Sequence, residues 1–296
     1  VCAQSNTAVD WIAEKLVDRG VPVLRIGNPT RVNDKMLSFT YERRFENHPA
    51  YTELWSVRKS IREISGHIRK GNYIERESMR NRISRLRDRA TELEILINED
   101  LFSSARVIAS TLVSSNHRIL EGRRFSTLFI DEAAQALEAA CWIAIRKADR
   151  VIFAGDHCQL PPTIKCIEAA RGGLDQTLTE KVVTNKPVSV SLLKVQYRMN
   201  EAIMRFPSEW FYNNQLESAP EVRHRGILDY DTPMVWIDTS ELEFHEEFVG
   251  ESIGRINKPE ADLLIQELKN YIQRIGENRV FDERIDFGLI SPYNAQ

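Results

Sequence analysis

Four cysteines are spread over 296 residues, at positions 2, 141, 158 and 166, and no two form a Cys-x-x-Cys pair. A chain this long does not rest on a disulfide framework, so reduced thiols and a cytoplasmic setting are the simplest expectation. A zinc site built from His157, Cys158 and Cys166 would match no standard ligand spacing. No uninterrupted apolar run reaches membrane-spanning length, and no basic stretch followed by an apolar core opens the chain. The net charge is only -3 and the pI about 6.2, so overall charge points to no polyanionic partner. Gly-x-x-x-x-Gly-Lys-Ser/Thr, the loop that cradles nucleotide phosphates, occurs nowhere.

What is present is apolar enough, at 42% hydrophobic residues, to bury the cores of two domains. Thr127-Leu128-Phe129-Ile130 reads as a buried strand that stops abruptly at Asp131-Glu132-Ala133-Ala134. Two carboxylates at a strand tip suit Mg²⁺ binding and water activation, although Asp and Glu also favour helix starts. A second strand of the same build, Arg150 to Ala154, runs into Gly155-Asp156-His157-Cys158-Gln159. Two apolar strands with polar carboxyl ends predict an open parallel sheet with a site along one rim.

The chain opens as if inside a strand at Val1-Cys2-Ala3. Helical periodicity follows from Ala8 to Arg19, then a β-branched strand from Val21 to Ile26. Further strands are expected at Arg106–Ala109, Ser189–Val195, Met234–Ile237 and Phe287–Ser291. Helices are expected near Glu138–Arg146, Glu201–Trp210 and Pro259–Ile275. Between Pro49 and Asp100 the rhythm changes. Leu54, Val57, Ile61, Ile64 and Ile68, and after Gly71-Asn72 Met79, Ile83, Leu86, Ala90, Leu93 and Ile97, recur at heptad steps and predict an antiparallel helical hairpin. From Arg58 to Arg89 it carries eleven Lys/Arg against four Asp/Glu, which fits either a polyanion-binding arm or a solvated face.

Five stretches in this order and spacing carry a family resemblance: Ser5-Asn6-Thr7-Ala8-Val9-Asp10, Asp131-Glu132-Ala133-Ala134-Gln135, Gly155-Asp156-His157-Cys158-Gln159-Leu160-Pro161-Pro162, Gln196-Tyr197-Arg198-Met199 and Ser291-Pro292-Tyr293-Asn294-Ala295-Gln296. The chain resembles superfamily 1B helicases, in the branch that holds the RNA helicase of nonsense-mediated decay and the immunoglobulin-mu-binding helicase. The likeness runs nearly end to end and includes the helical insertion.

The resemblance implies an α/β fold. Residues 1–193 would form a RecA-like domain without its first strand and phosphate loop, with residues 49–100 as insertion, and 194–296 the opening part of a second RecA-like domain. ATP would bind between the two. Asp131 would hold Mg²⁺, and Glu132 would act as general base on the attacking water. Gln159 would sense the γ-phosphate, and Arg198 would serve as arginine finger. Asp156 would belong to the nucleotide-binding groups, and Tyr197 would stack on the adenine. Ser5, Asn6, Thr7, Ser110, Thr111, Pro292 and Tyr293 would contact the backbone of single-stranded DNA or RNA.

The expected protein is a monomeric, non-membrane translocase in which ATP hydrolysis drives strand movement; the resemblance implies 5′-to-3′ movement, which the sequence itself does not show. The 296 residues read as an internal fragment, inactive by itself. The competing expectation is a non-catalytic binding module working through the basic hairpin. A metal nuclease built from Asp131, Glu132 and the acidic run Glu241–Glu247 is a weaker third.

Overall fold

A computed structural model describes residues 1–67, 73–229, 231–250 and 254–296. Contacts within it divide the chain into two compact units, Val1–Val190 and Ser191–Gln296.

The first unit holds five strands: β1 (Cys2–Ala3), β2 (Val23–Ile26), β3 (Val107–Thr111), β4 (Phe125–Asp131) and β5 (Ala148–Phe153). They pair in the order β2-β3-β1-β4-β5, and every pairing is parallel. Parallel neighbours need crossovers, and helices supply them. Helix α1 (Asn6–Val17) leads from β1 to β2. It begins two residues before the expected start because Ser5 caps it, its hydroxyl accepting the Ala8 N–H at 3.1 Å.

Side-chain alternation sorts the sheet into two faces. Ala3, Val23 and Ala109 pack against Val9 and Ala13 of α1. Cys2, Leu128 and Ile130 face the opposite way, onto Cys141 and Ala144 of helix α5 (Glu138–Ile145). The covering of both faces by helices makes this a doubly wound α/β sheet, as expected.

A short helix α2 (Tyr41–Glu46) precedes the two arms of the hairpin, α3 (Tyr51–His67) and α4 (Tyr73–Ser104). The heptad reading holds: Leu54, Ile83, Ala90, Leu93 and Ile97 are buried between the arms. Ile68, Arg69, Lys70 and the Gly71-Asn72 turn lie outside the described residues. Helix α4 continues past Asp100 because Leu101 still has an apolar surface to cover. Leu54, Leu93, Ile97 and Leu101 form one cluster with Leu24 and Ile26 of β2. Each such side chain contributes roughly 1.5–3 kcal/mol on burial, so the root of the hairpin is welded to the sheet. Ion pairs from Arg58 to Glu94 (2.7 Å) and Arg89 to Glu53 (2.8 Å) bridge the arms, but all four groups are solvent-exposed and contribute little. The unit closes with α6 (Ile167–Ala169) and α7 (Leu178–Asn185).

The second unit contains α8 (Glu201–Phe211), α9 (Pro220–Arg223), α10 (Lys258–Ile275) and α11 (Glu277–Asp282). Asn257 caps α10 by accepting the Glu260 N–H, and Gly276 at φ 92° ends it. Strand content here is far lower than expected. Of Ser189–Val195 only Val195 enters a ladder, in β6 (Val195–Gln196), which pairs in parallel with β7 (Glu217–Ser218). A second ladder joins β8 (Glu247–Phe248) to β9 (Arg255–Ile256). Met234–Ile237 and Phe287–Ser291 pair with nothing among the described residues, and Trp236 (85%) and Ile290 (93%) stand in solvent. A strand exists only through its neighbour, and apolar periodicity alone supplies none.

Candidate functional site

Ala3, Thr111 and Asp131 lie side by side in register, so β3, β1 and β4 end at one level. The chain leaves these tips through Ser5-Asn6-Thr7, Thr111 and Asp131-Glu132. Beside them β5 runs into Gly155-Asp156. The carboxyl ends of parallel strands are where open α/β sheets place their ligands.

Asp131 is the last residue of β4 and half-buried; Glu132 is exposed at φ 51°, ψ 38°. That left-handed conformation costs a residue with a Cβ about 1–2 kcal/mol, so the surrounding contacts must hold it in place. Three backbone bonds hold it: Ala133 N to Ala154 O (2.9 Å), Ala154 N to Ile130 O (2.8 Å) and Gln135 N to Glu132 O (3.0 Å). Gly155 makes the approach possible, because a Cβ there would sit 2.9 Å from Ala133 N and 3.0 Å from Ala134 N. Neither Asp131 nor Glu132 has an ion-pair partner among the described residues. If strain is what the turn stores, Glu132→Gly should leave the melting temperature unchanged or raise it, with a gain of up to about 1 kcal/mol. A loss above about 1 kcal/mol in thermal unfolding would instead assign the Glu132 side chain a structural role.

In the loop after β5, the Asp156 carboxylate turns inward. One oxygen accepts the Cys158 N–H at 3.1 Å and the other accepts Gln159 Nε2 at 2.8 Å. Asp156, expected among the nucleotide-binding groups, therefore organises its own loop, while Gln159 stays exposed at its end. Burial, with the Asp156 carboxylate adding to it, raises the Cys158 thiol above its ordinary range and keeps it protonated.

The expected strand contacts divide by geometry. Ser5 and Thr7 are exposed at the start of α1, and Asn6 is half-buried beside them. Ser110 is different: it is 3% exposed, with its hydroxyl 3.5 Å from Cys2 Sγ. Adjacent strand residues face opposite sides, so Ser110 and Thr111 cannot both point to one ligand. Thr111 Oγ1 donates to Ser114 Oγ at 2.8 Å and accepts the Ser114 N–H at 3.1 Å, which braces the turn after β3.

One buried cluster at this rim escaped the sequence reading. Arg25 of β2 is fully buried and donates to Asp10 Oδ1 (2.7 Å), Ile26 O (2.6 Å) and Asn6 Oδ1 (2.8 Å). Its signal was an arginine inside an apolar strand, Val23-Leu24-Arg25-Ile26.

In the second unit, Gln196 folds its own turn. Its Oε1 accepts the N–H groups of Arg198 (2.8 Å) and Met199 (2.9 Å), and its Nε2 donates to Met199 O and Ser218 Oγ, both at 2.7 Å. Tyr197 (65% exposed) and Arg198 project outward from that turn, so Tyr197 is not a core residue of this unit. No ion pair engages the Arg198 guanidinium among the described residues. Pro292 and Tyr293 line a cavity with Asn257, Leu264 and Leu289. Gln296 fixes that loop by pairing with both backbone groups of Asn257, at 2.6 and 2.9 Å. The acidic run Glu241–Glu247 offers no comparable site, since Glu246 and Glu247 are paired with Arg255 and Lys258.

Two family models described as AAA domain match the chain, one over residues 1–166 and the other over 174–296. The chain belongs to the superfamily 1 helicases, in the branch of the nonsense-transcript regulators. Among curated relatives of this helicase branch, an uncharacterized ATP-dependent helicase of Methanocaldococcus jannaschii is 30% identical over 99% of this chain and 50% of its own length. The DNA polymerase alpha-associated DNA helicase A of Schizosaccharomyces pombe is 30% identical over 100% of this chain and 46% of its own. A regulator of nonsense transcripts 1 homolog of Arabidopsis thaliana is 31% identical over 100% of this chain and 23% of its own. The chain thus spans half or less of the length of these helicase relatives. No helix among the described residues is long and apolar enough to cross a membrane.

Proposed function

We propose that the protein carrying this chain is an ATP-dependent helicase or translocase on single-stranded DNA or RNA. The observation that carries this reading is the pair of carboxylates on Asp131 and Glu132, without ion-pair partners among the described residues and the second on a left-handed backbone, set near the same sheet level as the exposed Ser5 and Thr7. One rim thereby offers both a water-activating group and groups suited to phosphate oxygens.

Asp131 fits a divalent cation, since its carboxylate is partly accessible, unpaired and acceptor-only. Mg²⁺ bound there would neutralise charge on the nucleotide phosphates. Glu132 takes the proton of the attacking water, and its fixed backbone aims the carboxylate. Gln159, whose amide nitrogen is held by Asp156, has its Oε1 for that water or the γ-phosphate. Arg198 supplies a permanent planar cation for charge developing in transfer, and Tyr197 a ring for the base. Ser5, Asn6, Thr7, Thr111, Pro292 and Tyr293 grip the strand without reading sequence, and Ser110 supports them from inside the sheet. Hydrolysis alternates that grip and moves the protein along its track. The four free thiols fit a reducing, cytosolic setting.

Single-stranded oligonucleotide should stimulate ATP hydrolysis by the natural-length protein. The 296 residues alone, which contain no phosphate-loop lysine motif, should show no measurable turnover. Absence of any strand stimulation in the natural-length protein would overturn the proposal.

A second reading rests on the hairpin. Arg62, Arg80, Arg82, Arg85 and Arg87 are exposed and have no ion pair among the described residues. Deleting the hairpin would expose Leu24 and Ile26, so substitution is the cleaner test. Changing Arg80, Arg82, Arg85 and Arg87 to Gln should lower the salt slope of single-stranded oligonucleotide binding by up to about three if each meets a phosphate. An unchanged slope would make this a solvated face.

A further inference from the structure

We infer that Arg25 is a positioning residue that holds the Asn6 carbonyl oxygen, so that the Asn6 amide N–H₂ group is what the side chain presents, as a donor, to a bound strand. This rests on the proposed contact between Asn6 and nucleic acid. Arginine is always protonated and has no acceptor, so the Asn6 atom 2.8 Å from Arg25 Nη2 is the carbonyl oxygen. With that oxygen turned toward Arg25, the two amide hydrogens lie at the other end of the side chain for a ligand. A donor at this place suits phosphate oxygens, which every nucleotide carries, and makes the contact blind to base identity.

The frame around Arg25 leaves it no second position. Its Nε meets Asp10 Oδ1 at 2.7 Å, and Asp10, 4% exposed, spends its other oxygen on the Asn33 N–H at 2.9 Å. Nη1 donates to Ile26 O at 2.6 Å, and a Cβ at Gly27 would lie 3.0 Å from that same nitrogen. A fully buried ion pair is seldom the most stable filling of such a space; apolar side chains of similar volume often serve as well or better. What apolar side chains cannot do is choose which end of Asn6 faces out. The same guanidinium ties β2 to the first and second turns of α1 through Asn6 and Asp10. The donor is thereby fixed to the rim rather than to a loop.

The test measures binding of a labelled single-stranded oligonucleotide to the natural-length protein by anisotropy, alongside KM for ATP, kcat at saturating strand and thermal melting. Arg25→Lys keeps the charge, but its compact ammonium cannot span the three acceptors that Nε, Nη1 and Nη2 reach separately. It should weaken strand binding by about tenfold, with KM for ATP and saturated kcat unchanged. Asn6→Ala should lose a similar factor, and Asn6→Ala combined with Arg25→Lys no more than Asn6→Ala alone. Should Arg25→Lys fail to fold, Arg25→Leu with Asp10→Leu removes both buried charges together and should show the same selective loss. Unchanged binding in Asn6→Ala would refute the contact itself. A loss in Asn6→Ala with none in Arg25→Lys, or losses that multiply in the combined variant, would leave the contact standing and refute the positioning role.

Discussion

Glu132→Gln in the natural-length protein should reduce strand-stimulated ATP hydrolysis by roughly 10²–10⁴-fold while ATP still binds. Glutamine has the same length and meets the same left-handed backbone at φ 51°, so the turn held by Ala133 and Ala154 should survive the change. The amide cannot accept the proton of the attacking water, and that step alone is removed. Steady-state turnover together with equilibrium nucleotide binding separates the two effects. Turnover within about threefold of wild type would remove Glu132 from the general-base role, a factor well below what proton transfer contributes.

Arg198→Ala should be equally severe or worse, with a loss of roughly 10³–10⁵-fold in kcat if the guanidinium meets charge that develops only in transfer. Arg198→Lys should recover little of it, because an ammonium lacks the planar fork that can hold two oxygens at once. The side chain is exposed and takes part in no ion pair among the described residues, so its removal should leave stability within about 0.5 kcal/mol. The turn beneath it depends on Gln196, not on Arg198. A kcat loss without a melting shift is therefore the expected signature, measured by turnover and thermal unfolding on one preparation. A loss confined to KM for ATP would assign Arg198 to ground-state binding instead.

The first unit was legible in the sequence because its elements bury one another. The heptad residues Leu54, Val57, Ile61, Ala90, Leu93 and Ile97 and the apolar runs ending at Asp131 and Ala154 found the partners their periodicity implied. Shifts of two to four residues arose where caps or extra packing decided the end, as at Ser5 and Leu101. Runs of the same apolar character failed in the second unit, since Trp236 and Ile290 lie on segments without a ladder. At the site, the identity of Asp131 and Glu132 could be read, but the left-handed turn and the inward Asp156 could not. Those depend on Gly155 letting two loops touch, a contact between residues more than twenty positions apart. Ser110 illustrates the limit of motif reading, since hydroxyls adjacent in sequence point to opposite faces of one strand. Arg25 shows the reverse case, an out-of-place residue whose reason appears only once Asp10 and Asn6 are seen around it.

One structure would test the central claim that Asp131 and Glu132 serve a nucleotide: the natural-length protein with Mg²⁺, ADP and aluminium fluoride, a mimic of phosphate in transfer. The account predicts the Glu132 carboxylate within about 3 Å of the attacking water, with Asp131 turned to the Mg²⁺. A complex with the fluoride group bound and the Glu132 side chain left in solvent would contradict it.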